Sequence, residues 1–414
     1  MTATVVDHRD FARARVRSAA IDTTWTVYAV LTASACIVVG LIWDISWHRT
    51  VGRDTFWTYP HVLEQFAATL SGLSCGWLVL RTTFAGDEAA RGSSVRFWGF
   101  RGPLGAWVCI WGTILMIASA PFDDWWHNAY GLDVKIVSPP HMVLALGMVA
   151  IEVGALLMVL AAQRQATTTD DHHQFDLGYA LAGGILITMI ATLIMQYAAA
   201  ANRMHSAIFY EVTAAVFPVF LVAFARASRV AWPATKTAAV YMGIVLVMMW
   251  TLQLFPATPK LAPIYNPVTH MVPPFFPLLL VMPAFALDIE LRRSGAAMRN
   301  TAAGTDTVRP NDWLLSLLLA VTFVGIMVVV HWFWSEFMLT HWARNFVFAA
   351  DQWDYNSLLG SWRYHYWGLD GPHRTFALVP FARGLGIATL LAAVSARVGL
   401  WWGNGMSRVT RRGA

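Results

Sequence analysis

The sequence predicts an all-α protein, a polytopic membrane bundle of about ten transmembrane helices, and three observations carry that prediction. Of 414 residues, 57% are hydrophobic and only 13% charged, against about 25% charged in an ordinary soluble domain. Mean hydropathy is +0.51. The apolar residues gather in blocks of about 20, the length a helix needs to cross a bilayer's hydrocarbon core. "TWTVYAVLTASACIVVGLIW" (24–43) and "WLLSLLLAVTFVGIMVVVHWFW" (313–334) are two of them.

Taken in order, the blocks place spans at 24–43, 61–80, 103–121, 139–162, 177–198, 207–227, 237–256, 271–288, 313–334 and 376–396. Residues 1–23 are polar and precede a block long enough to stay in the membrane, so a cleaved signal is not expected. Of the 29 Lys and Arg residues, 20 lie on the side that holds the N-terminal segment, the loops after even-numbered spans and the C-terminal tail; 9 lie on the other side. By the positive-inside rule both termini are then cytoplasmic, in a bacterial-type inner (plasma) membrane. The chain divides into an N-terminal segment (1–23), a four-helix region (24–165), helices five to nine (166–336), an outward loop (337–375), and a last helix with a basic tail (376–414). The outward loop is too rich in Trp and Tyr for a disordered linker and is expected to fold as a cap.

Composition excludes several function classes. The net charge of +5 comes from basic residues that flank the spans. It calls for membrane lipid as a partner and no nucleic acid. Cys36, Cys75 and Cys109 all lie in apolar blocks with no CxxC spacing, which argues against a thiolate metal site or a disulfide framework. No P-loop, glycine-rich nucleotide fingerprint or Ser-His-Asp order supports ATP-driven pumping or hydrolysis.

The chemistry is concentrated in two short stretches, "WDISWHRTVGRDTFWTYPH" (43–61) and "DDWWHNAYGLDVKIVSPPH" (123–141). The first spaces its ionisable groups as Asp44-x3-His48-x12-His61. The second reads Asp123-x3-His127-x13-His141. Residues four apart share a helix face, so each aspartate stands beside the following histidine. The second histidine returns at the start of the next span, after Pro60 or Pro140, because proline at a first helical turn loses no hydrogen bond. Two imidazoles and a carboxylate can thus converge, leaving coordination positions open for water, oxygen or substrate. Gly52 and Asp54 recur as Gly131 and Asp133 at the same distances from His48 and His127, so the two stretches look like a repeated helix pair. Asp54, Asp133 and Glu64 are candidates to support the ligands from behind. Glu64 reads equally as a carboxylate reaching for the interface. Glu336, His341 and His373 form a weaker third grouping. Helix ends at a membrane surface also collect Asp, His and Trp for purely structural reasons, and duplication alone could produce the repeat.

The first stretch resembles the C subunit of the copper membrane monooxygenases, the particulate methane and ammonia monooxygenases. The shared pattern is Asp44, Trp47-His48, Arg53-Asp54-Thr55 and His61 in order, and it extends over residues 24–165. The family's second motif, Asn-x3-His-x13-His, is matched by Asp123, His127 and His141, with Asp123 in place of Asn. The resemblance implies copper at one or both triads, a monooxygenase or monooxygenase-like subunit, further subunits of that type, and an electron donor such as quinol. Two His and one carboxylate equally describe an iron or zinc site. A membrane copper-transport or metal-handling protein is the competing expectation, with the triads as way-stations.

Overall fold

The computed structural model describes residues 8–86, 88–131, 138–166, 168–198, 200–295, 312–368, 371–372 and 376–409. The chain is dominated by helices. α1 (His8–Thr50) and α2 (Tyr59–Phe84) come first, followed by the short α3 (Glu88–Gly92) and a hairpin of β1 (Val95–Phe97) and β2 (Phe100–Gly102). Then follow α4 (Leu104–Tyr130), α5 (Pro139–Gln165), α6 (Thr169–Ala198), α7 (Ala207–Ala227), α8 (Pro233–Leu252), α9 (Val281–Arg293), α10 (Asp312–Met338) and α11 (Leu378–Val409). Among the described residues, eight helices are long and apolar enough to cross a membrane: those starting at Thr24, Leu104, Pro139, Thr169, Ala207, Pro233, Asp312 and Leu378. This is the architecture of a multi-pass membrane protein built from α-helices.

Two of the ten expected spans differ. α2 is a 26-residue helix, but Glu64, Gln65 and its run of Ser, Thr and Gly dilute its apolar character, and it is not among the eight. The expected span 271–288 is not one helix. Residues 271–279 are irregular and only Val281–Arg293 is helical. Pro273, Pro274 and Pro277 remove amide donors that a helix would need. The remaining buried amides find side chains: Leu278 N–H donates to the Tyr241 hydroxyl (2.9 Å) and Leu279 N–H to His331 Nε2 (3.1 Å). His331, fully buried in α10, therefore serves the backbone.

The chain forms two compact units. One comprises residues 1–37, 65–179 and 412–414; its centre is the pairing of α4 with α5. Gly105 faces the Gly154 carbonyl, and Gly112 and Gly147 face each other's carbonyls, so closely that an added Cβ would lie 2.6–2.8 Å away. Small residues let membrane helices approach to backbone contact.

The other unit comprises residues 38–64 and 180–411. Within it α7 and α11 pack along their length, with Gly384 against Ala207 and Gly399 against Val219. Buried Asp288 of α9 accepts from the Thr235 amide (2.9 Å) and hydroxyl (2.7 Å), placing a carboxylate at the electropositive start of α8. Part of the aromatic segment after α10 bonds to the end of α1. Tyr355 N–H donates to the Arg49 carbonyl (3.1 Å), the Tyr355 carbonyl accepts from Tyr265 and Asn266 (2.9 and 2.8 Å), and Asp354 pairs with Arg49.

Candidate metal centre

The centre is built at the end of α1. Asp44 and His48 are one turn apart, and Asp44 Oδ2 lies 3.6 Å from His48 Nε2. The helix must stop soon after, so that the chain can bring His61 back. Gly52 ends it with a φ of +79°, donating to the Trp47 carbonyl at 3.2 Å. Left-handed backbone at a helix end favours glycine. Here space requires it too, because a Cβ would lie 2.3 Å from the Tyr355 hydroxyl. The Trp47 indole N–H then holds the loop by donating to the Arg53 carbonyl (2.9 Å). Thr58 closes it: its hydroxyl accepts from Thr55 N–H (2.8 Å) and donates to the Thr55 carbonyl (2.7 Å).

That loop sets the orientation of His61. His61 Nδ1 sits 2.9 Å from the Thr55 carbonyl, an acceptor only, so Nδ1 carries the proton. Nε2 is left pointing at Asp44 Oδ1 (3.1 Å) and Asp54 Oδ2 (3.5 Å). A neutral imidazole with its proton on Nδ1 presents a lone pair to two carboxylates. That arrangement needs a cation between them or a second proton on the ring.

Asp54, expected to support the ligands from behind, stands among them. Its Oδ2 is 3.5 Å from both His48 Nε2 and His61 Nε2. Ligand atoms of Asp44, His48, Asp54 and His61 all lie within 4.8 Å of one another. The carboxylate–imidazole separations of 3.1–3.6 Å are those that four ligands at ~2.0–2.2 Å from one ion would take. Asp44 Oδ1 is buried without a hydrogen-bond partner, an orphan that a bound ion would satisfy. These residues fit a divalent metal.

Glu64 does not bond His61, whose Nδ1 is taken by Thr55. Nor does it reach the interface: it is 3% exposed, and its Oε1 has no hydrogen-bond partner. Gly40 makes room for it, since a Cβ there would stand 2.7 Å from Glu64 Cγ. A third carboxyl thus lies buried one turn beyond the ligands, within electrostatic reach of Asp44 and His61.

In the other unit, the second triad converges more loosely. Asp123 Oδ2 is 3.3 Å from His127 Nε2 and Asp123 Oδ1 is 3.7 Å from His141 Nε2. The helix end repeats the first: Gly131 has a φ of +89°, and its amide donates to the His127 carbonyl (3.0 Å). His127 Nδ1 lies 3.3 Å from the Gly131 carbonyl, so its Nε2 also faces the aspartate. Ser138 caps α5 by accepting from His141 N–H (3.5 Å). Asp133 lies outside the described residues. Of the third grouping, Glu336 accepts from the Trp332 indole (3.1 Å), His341 packs on Trp342, and His373 lies outside the described residues.

Sequence reasoning underrated Asp54. It sits in a loop, where helical spacing says nothing of direction; the available signal was its recurrence as Asp133. No family model matches the chain, and no curated protein or solved structure matches it.

Proposed function

We propose that this chain is a metal-dependent membrane oxidoreductase, a copper monooxygenase or a subunit of one, acting on a small apolar molecule. The observation that supports it most is the four-ligand set of Asp44, His48, Asp54 and His61, with His61 fixed by Thr55. Two imidazoles and two carboxylates suit Cu(II), and also iron or zinc; the resemblance to the copper monooxygenases favours copper. A copper ion held there would bind and activate oxygen for insertion into a C–H or N–H bond. The chain's own residues hold the His61 imidazole in one tautomer through Thr55 and bring the carboxylates together. Phe56, Trp57 and Tyr59, in the loop that carries Asp54 and leads to His61, are 50%, 77% and 69% exposed and offer apolar surface suited to a lipid-soluble substrate.

The basic-residue asymmetry supports cytoplasmic termini and ligand turns facing outward. The α1–α2 and α4–α5 pairs are read as copies of one unit. Ten crossings then require α2 and the 271–293 segment each to pass through the bilayer, the latter as an irregular run followed by α9. Cysteine placed at 57 should be labelled from outside and cysteine at 168 should not. The reverse would reject the orientation. Additional monooxygenase-type subunits and a quinol donor belong to the same reading.

Oxygen uptake by metal-loaded protein, with a quinol or chemical reductant and candidate substrates, tests the activity. It should depend on substrate and disappear in His61→Ala. Unchanged uptake in that variant, or metal flux through proteoliposomes without uptake, would favour metal transport. Met248 and Met249 of α8, which could suit Cu(I) in a transport path, are buried and read more simply as packing.

A further inference from the structure

The unit that comprises residues 1–37, 65–179 and 412–414 buries three sulfur atoms where α2, α4 and α5 meet. Cys75 of α2 and Cys109 of α4 are fully buried, and Met158 of α5 is 3% exposed. Cys75 Sγ lies 4.0 Å from Met158 Sδ, and the Cys75 and Cys109 thiols are close enough to interact.

Glycines make room for the sulfurs. A Cβ on Gly154 would collide with Cys109 Sγ, and one on Gly105 would stand 2.7 Å from Met158 Cγ. Gly105 and Cys109 are one turn apart on α4, as Gly154 and Met158 are on α5, so both sulfur-bearing side chains lie in the seam between these helices. Cys75 reaches them from α2.

A buried thiol can be a small hydrophobe and nothing more. Two observations point further. With metal–sulfur bonds of ~2.3 Å, sulfurs 4.0 Å apart subtend about 120° at an ion between them. That angle leaves the third corner of a trigonal plane open, and Cys109 stands beside Cys75 to fill it. The second observation is Ser71, one turn before Cys75 and fully buried. Thr69, Thr82 and Thr83 of the same helix donate to the carbonyl one turn back, at 2.8, 2.7 and 2.8 Å. Ser71 Oγ has no hydrogen-bond partner, yet lies within reach of Cys109. A thiolate at Cys109 would give it an acceptor.

We propose that Cys75, Cys109 and Met158 form a binding site for a soft monovalent metal ion, Cu(I). Two thiolates and a thioether select Cu(I) over harder ions. Binding releases the two thiol protons, and Ser71 donates into the resulting negative charge. The site is separate from the second Asp–His triad: Asp123 lies about 14 residues, or about 21 Å, further along α4 than Cys109. In the orientation proposed above, the sulfurs lie towards the cytoplasm, where thiols stay reduced. A site assembled from three helices leaves no CxxC spacing in the sequence.

The test uses the full chain in detergent, reduced and stripped of metal. Cu(I) is titrated without oxygen against a chromophoric chelator, and X-ray absorption reads the copper's neighbours. The wild type should hold Cu(I) among sulfur atoms at about 2.3 Å. Cys75→Ser should weaken that binding at least about a hundredfold, and Met158→Leu, which conserves volume, about tenfold. His61→Ala and His127→Ala should keep the sulfur signal, which separates this site from the Asp–His centres. Should Cys75→Ser fail to fold, Met158→Leu still decides the matter. Copper without sulfur neighbours in the wild type, or unchanged Cu(I) affinity in Met158→Leu, would overturn the proposal.

Discussion

The turn after α1 and the turn after α4 start from the same residues and, among the described residues, hold their ligands at different spacings. Both end a helix at a glycine of positive φ, both set an aspartate one turn before a histidine, and both begin the next helix with Pro-His. The first draws in Asp54, closes on four ligand atoms within 4.8 Å, and keeps a buried Glu64 behind them. The second holds Asp123 at 3.3 and 3.7 Å from its histidines. Among the described residues, the contacts at the two turns differ as well. Arg49 and Gly52 are gripped by Asp354 and Tyr355 of the cap, and Val51 accepts from Lys260 N–H (2.9 Å). Among the described residues, nothing lies within 4 Å of a Cβ placed on Gly131. A shared spacing supplies the ligands, and the contacts from Asp354 and Tyr355 belong to the turn with the tighter cluster.

The largest expected effect comes from removing a ligand at the tighter turn. His61→Ala should lower metal affinity roughly a hundredfold or more, beyond the usual loss on changing a residue behind the ligands. His141→Ala should leave the metal content of the first centre unchanged. Isothermal titration of each variant separates the two, and equal losses would remove the contrast.

Next in size is the pair of glycines. Gly52→Ala combines a strained φ with a Cβ driven into the Tyr355 hydroxyl and should destabilise by about 2–3 kcal/mol. Gly131→Ala meets only the φ cost, roughly 1 kcal/mol. Chemical or thermal denaturation of the two variants measures the gap. A Gly131 variant as damaged as the Gly52 variant would mean that the cap does not distinguish the turns.

Much of this was legible beforehand. Asp44, His48, Asp123 and His127 follow from helical spacing, and His61 and His141 from proline-marked helix starts. Asp54 was recognised as relevant, but its place among the ligands depends on the Trp47–Arg53 and Thr55–Thr58 bonds that shape the loop. The 271–288 segment was misread because its hydropathy outweighed Pro273, Pro274 and Pro277, whose lost amide bonds decide the backbone. The attachment of Asp354 to Arg49 joins residues 305 positions apart and leaves no local trace in the sequence.

A smaller effect distinguishes charge from ligand number. Asp54→Asn keeps the shape and removes one negative charge, and should weaken divalent-metal binding by about tenfold. Asp123→Asn should do less for Cu(I) than for harder cations at the second triad. Competition titrations with Cu(I), Cu(II) and Zn(II) read both, and no change in Asp54→Asn would return that residue to a supporting role.

The central claim is that Asp44, His48, Asp54 and His61 hold one metal ion. Anomalous scattering from crystals of the purified, copper-supplied protein tests it most directly, collected at the copper, iron and zinc edges. The account predicts one peak about 2 Å from His48 Nε2 and His61 Nε2, lost in His61→Ala. A well-folded wild-type protein with no peak among those four side chains at any of the three edges would contradict it.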